Sequence, residues 1–109
     1  MILGAISHWS LEIGWFPNLA EASRALRRRK HRCVVCEATL PDGSYRDVCR
    51  LLGSKLKATP LIVFSAEDID QCYSDALAIG AFDVVPLPCQ RTDVQWILMR
   101  AIRHELPCQ

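Results

Sequence analysis

Three short apolar runs, CVVCE (33–37), LIVFS (61–65) and FDVVP (82–86), constrain this chain more than any other feature. Each is apolar at successive positions rather than at alternate ones. Such a strand is buried on both faces, which is the habit of parallel sheets covered by helices. Between the runs lie segments whose apolar residues recur at helical spacing. Strands alternating with helices imply right-handed βαβ units, so the expected fold class is α/β, a doubly wound parallel sheet. In such sheets sites form beyond the carboxyl ends of the strands, which directs attention to Glu37, Ser65 and the segment around Leu87.

The punctuation between the runs supports this division. LEIGWF (11–16) is a further strand candidate, closed by Pro17. Asn18 with Glu21 has capping-box spacing, and Leu19, Ala22, Ala25 and Leu26 form a helical stripe that ends in RRRKHR (27–32). LPDG (40–43) carries turn chemistry. Ser44 caps the next helix with Asp47 at its third position, Tyr45, Val48, Cys49 and Leu52 form the stripe, and Gly53 stops it. Asp68 is placed to cap a helix with Ile69, Cys72, Tyr73, Ala76 and Leu77 on its inner face, ending at Gly80. Thr92 with Gln95 predicts a last capping box, before a stripe of Val94, Ile97, Leu98, Ala101 and Ile102 running to about Leu106.

Composition narrows the function classes. The 109 residues fit one domain, 1–109, with one core, and half of them are apolar. A net charge of +1 gives no footprint for nucleic acid or membrane. No apolar run approaches the ~18 residues of a membrane helix. The amino terminus lacks the basic region and cleavage site of a signal peptide, so a cytoplasmic location with reduced thiols is expected for the six cysteines.

Several sharper motifs read as structural. Cys33 and Cys36 have C-x-x-C spacing, but on a strand they point to opposite faces and share no metal. RRRKHR suits the carboxyl end of a helix dipole. His8, His31 and His104 are scattered. Asp42 is a turn residue and Asp83 opens its strand at the amino end.

Taken together, an acid followed two residues later by LPDG, then PLIVFSA, then AIGAFDVVPLP, in order and at these intervals, resemble the receiver domain of bacterial two-component response regulators. The resemblance covers residues 11–106, with 1–10 matching only the end of the family's first helix. It implies a flavodoxin-like receiver fold lacking the usual first strand. In the family an aspartate ending the third strand accepts a phosphoryl group, two acids hold Mg²⁺, a hydroxyl ends the fourth strand, and a lysine before a cis-proline ends the fifth.

Carried over, Glu37 falls on the phosphoacceptor, Ser65 on the switch hydroxyl with Ala66 after it, Leu87 on the lysine and Pro88 on the cis-proline. Val84 falls where a switch aromatic often sits, and the acid pair has no counterpart. With those charges gone, the resemblance implies no catalytic residue, no metal site and no cofactor, because phosphoryl transfer rests on electrostatic stabilisation. Glu37 is then either a fixed mimic of the phosphorylated state reaching toward Ser65 or a solvated relic.

The missing strand leaves three possibilities. The chain is shortened, with Met1 an internal methionine; or ILGAIS (2–7) substitutes; or LEIGWF slides in beside CVVCE. The favoured reading is shortening, with LEIGWF beside CVVCE or flanking a gap, and Trp9, Trp15 and Phe16 bare at a sheet edge that invites dimerisation. The expected function is a degenerate receiver that binds a signalling partner, a kinase or an output protein, through helix 69–79, strand 82–86 and helix 93–106. The alternatives are a phosphorylatable switch using Glu37 and a non-functional fragment.

Overall fold

The computed structural model describes residues 13–28, 31–66 and 69–105. In chain order the elements are β1 (Ile13–Trp15), α1 (Leu19–Arg28), β2 (Cys33–Glu37), the two-residue strands β3 (Thr39–Leu40) and β4 (Gly43–Ser44), α2 (Tyr45–Leu52), a 3₁₀ turn (Gly53–Lys57), β5 (Leu61–Ser65), α3 (Ile69–Ala78), β6 (Asp83–Pro86) and α4 (Arg91–Glu105).

The main sheet is wholly parallel in the order β1-β2-β5-β6. Ile13 pairs with Cys33, and Val35 with Ile62. Ile13–Trp15, the described part of the LEIGWF strand, therefore pairs directly with CVVCE. Phe16 lies beyond the end of this strand. The alternative strand ILGAIS and the aromatic Trp9 lie outside the described residues.

Strand alternation sends side chains into two cores. Val34, Cys36, Leu61, Val63 and Val84 face α1, α2 and α3, meeting Ala22, Leu26, Val48, Leu52 and Ala76. Ile13, Cys33, Val35, Ile62 and Phe64 face α4, meeting Val94, Ile97, Leu98 and Ala101. Cys33 and Cys36 thus fall in opposite cores, as their spacing requires. Cys33, Cys36, Cys49, Cys72 and Cys89 are all free thiols.

The aromatics of β1 depart from expectation. Trp15 and Phe16 are not bare: Trp15 packs on the α4-side core and Phe16 on the other, edge-on to the His31 ring at 5.8 Å. The large exposed apolar side chains lie elsewhere, above all Trp96, 63% exposed, and Tyr73, 45% exposed.

The helix ends follow the sequence, with one shift. The Glu21 amide donates to Asn18 Oδ1 (2.9 Å), and Asn18 Nδ2 donates to Glu21 Oε2 (3.2 Å). The Ser44–Asp47 capping box forms as expected. Gly53 and Gly80 both have positive φ, 52° and 111°, which glycine adopts without penalty. The last helix begins at Arg91, so Thr92 is inside its first turn and does not cap it. Asp93 instead accepts from the Gln90 amide (3.1 Å), an acid at the third position closing the cap. The Asp68 cap lies outside the described residues.

Candidate functional site

The LPDG segment folds into a tight antiparallel hairpin, Leu40 opposite Gly43 and Thr39 opposite Ser44, immediately after β2. Asp42 at its tip does more than turn the chain. Its carboxylate accepts from the amides of Leu19 (2.7 Å) and Ala20 (3.1 Å), the first two N–H groups of α1. These groups have no partner within a helix, and a negative charge suits that end of the dipole. The carboxylate thus ties the loop after β2 to the start of α1. This long-range cap, 22 and 23 residues away in sequence, was not readable from the motif.

Glu37 ends β2 and is exposed. It continues the row of Cys33 and Val35. Among the described residues its carboxylate makes no hydrogen bond or ion pair, Ser65 included. Leu87 lies beyond β6 and packs on the α4-side core, filling with hydrocarbon the place the resemblance gives to a cation. The Leu87–Pro88 peptide bond is cis. Val84 is buried in the opposite core. Among the described residues no three His, Cys, Asp or Glu side chains are placed to hold a metal ion.

Ser65 ends β5 in the row of Leu61 and Val63. It is 2% exposed and lines a cleft of about 270 Å³. The other walls come from the β2–α2 connection (Ala38, Thr39, Ser44), from α2 (Tyr45, Arg46) and from α3 (Gln71, Cys72, Asp75). Glu37 is not part of it. The structure therefore brings the strand ends side by side but places Ser65 in a cleft that the acid does not line.

Across this cleft, Tyr45 donates its hydroxyl to Asp75 Oδ2, and Arg46 Nη2 pairs with the same oxygen at 2.5 Å. The Arg46 guanidinium also lies 5.9 Å from the centre of the Tyr45 ring. Burial, then the hydrogen bond to Asp75 and its charge, push the Tyr45 phenol up to about 12, so it remains a neutral donor near pH 7. Nothing in the sequence pairs these residues, since Tyr45 and Asp75 are 30 positions apart.

No protein-family model matches the chain. Solved structures do. The signal receiver domain of a Luxo repressor protein from Vibrio parahaemolyticus superposes with a TM-score of 0.82 at 16% identity, over 95% of this chain and 80% of that one. The non-phosphorylated HemR receiver domain from Leptospira biflexa matches at 0.75 and 25% identity, over 87% and 77%. The receiver domain of a signal transduction histidine kinase from Syntrophus aciditrophicus matches at 0.78 and 17%, over 99% and 83%. With its parallel sheet, its cis-proline after the last strand and its acid at the end of β2, the chain has the fold of a response-regulator receiver domain.

Proposed function

We propose that this chain is a degenerate receiver module of a bacterial two-component phosphorelay, working in the cytoplasm by binding a signalling protein and not by accepting a phosphoryl group. The observation that carries the reading is the pair of occupants at the strand ends: Glu37, exposed and unpaired among the described residues, and Leu87, packed into the core. A phosphoryl group there would, on this reading, meet Leu87 at the lysine-equivalent position and no clustered acid set among the described residues, and phosphoryl transfer depends on such charges. On this reading the chain is not an enzyme and needs no cofactor.

The face suited to a partner is formed by α3, β6 and α4. Tyr73 and Leu77 stand exposed on α3 and Trp96 on α4, around the edge strand β6, and aromatic side chains of this kind anchor protein interfaces. The partner is a kinase or an output protein, with a second copy of the chain as another candidate; a structurally similar receiver, that of NtrC4, is described as a beryllofluoride-activated dimer.

Beryllofluoride also provides the test. Titrated with Mg²⁺ into the ¹⁵N-labelled chain, it is expected to leave the amide resonances of Glu37, Ser65 and Leu87 unmoved. Saturable shifts confined to these strand ends would overturn the proposal.

A further inference from the structure

Helix α3 has a thin seat in the core. Among its residues with described side chains, only Ala76 is fully buried, and it brings a single methyl group. Cys72 is partly buried, while Tyr73 and Leu77 are more than a third exposed. By contrast α4 buries Val94, Ile97, Leu98 and Ala101, and α2 buries Tyr45, Val48, Cys49 and Leu52. Apolar burial scales with the area removed from water, so the described side chains of residues 70–78 contribute less packing than those of α2 and α4.

What α3 has instead is a polar attachment. Asp75 receives the Tyr45 hydroxyl and the Arg46 guanidinium on one carboxylate oxygen, both from the first turn of α2. Tyr45 is itself 7% exposed and fixed in the core, so the attachment is anchored at the α2 end. The capping box of Ser44 and Asp47 fixes the same turn. Hydrogen bonds to charged groups are stronger than neutral ones, and this pair is largely withdrawn from water on the Tyr45 side. The same three residues line the cleft that reaches Ser65, together with Cys72 from α3.

We infer that Tyr45, Asp75 and Arg46 form a latch that seats α3 against α2, and that release of this latch lets α3 move and opens the cleft to Ser65 and Cys72. The latch is a local two-state element, set by a side-chain contact remote from Glu37. Since α3 supplies one side of the α3–β6–α4 face, opening would also reshape the surface offered to a partner; that consequence alone rests on the function proposed above.

Cys72 is a built-in reporter, and Cys36, buried in β2, reports global opening. The experiment is native-state alkylation with iodoacetamide, mapped by peptide mass, on the full chain and on three variants. Tyr45→Phe removes the donor but keeps the ring. Asp75→Asn keeps the shape but removes the charge. Val94→Ala, on the opposite face, lowers global stability without touching the latch. Losing one charge-assisted hydrogen bond is expected to speed Cys72 modification about ten-fold in both latch variants; Cys36, reached by a global opening that breaks the same contact, speeds by no more than that factor. In Val94→Ala, Cys36 modification should speed up while the Cys72 rate stays near wild type, because release of α3 leaves the core around Val94 intact. An unchanged Cys72 rate in the latch variants, or Cys72 rising in step with Cys36 in Val94→Ala, would overturn the latch. Should Tyr45→Phe fail to fold, Asp75→Asn carries the comparison. The outcome is independent of whether Glu37 accepts a phosphoryl group.

Discussion

Replacing Phe64 with alanine is expected to lower the stability of this chain by about 3–5 kcal/mol, the usual cost of emptying a buried aromatic site. Phe64 is fully buried, in β5, between β2 and β6. Its ring belongs to the core that β2 and β5 share with α4, beside Val35, Ile62 and Leu98. Three strands and a helix surround it, so the cavity cannot collapse without breaking parallel pairing. Its backbone also accepts from the Ala38 amide at 2.8 Å, holding the start of the loop that carries Thr39 and Asp42. Total stabilities of small domains are about 5–15 kcal/mol, so the variant should sit close to the unfolding threshold. Urea unfolding checks this: the midpoint should fall sharply with little change in slope.

Gly43→Val is expected to be the next most damaging change, at about 2–3 kcal/mol, the range for overpacking. The reason is space, since Gly43 does not have a positive φ. A Cβ there would collide with Leu19 and stand 2.5 Å from Asp47 Oδ2. The first contact pushes the hairpin away from α1, whose leading amides Asp42 caps. The second disturbs the Ser44–Asp47 box that starts α2. One side chain therefore loosens two helix starts. Amide exchange should show faster opening at Leu19, Ala20 and Ser44, with the β2–β5 ladder still protected. Uniform protection across these sites would contradict the contact.

Much of this was legible because the physics is local. The runs CVVCE and LIVFS name their own burial, and the glycines after Leu52 and Ile79 name the helix stops. The order of the strand-end residues carried the fold, with Glu37 ending β2 and Leu87 following β6. What stayed hidden depends on distance in sequence. Asp42 reads as a turn residue because its acceptor role lies with amides 22 and 23 residues earlier. The contact of Tyr45 with Asp75 has no periodic signature at all.

The inner stripe assigned to α3 was half wrong for a related reason. Tyr73 and Leu77 fit helical spacing, but β6 is the last strand, so no further element covers that side of the helix. Thr92 misled because a nearer acid, Asp93, closes the cap of α4 two residues earlier than the spacing with Gln95 suggested. Trp15 and Phe16 looked bare because the two cores that receive them are assembled from residues far along the chain.

The most direct test of the central claim is chemical. Incubated with acetyl phosphate and Mg²⁺ and analysed at once by intact mass, the chain is expected to keep its unmodified mass. On the proposed reading, Leu87 stands where a lysine would stabilise an acyl phosphate at Glu37, and no clustered acid set among the described residues is placed to hold a cation that would offset its charge. A gain of one phosphoryl group, mapped to Glu37 and lost in Glu37→Gln, would contradict it.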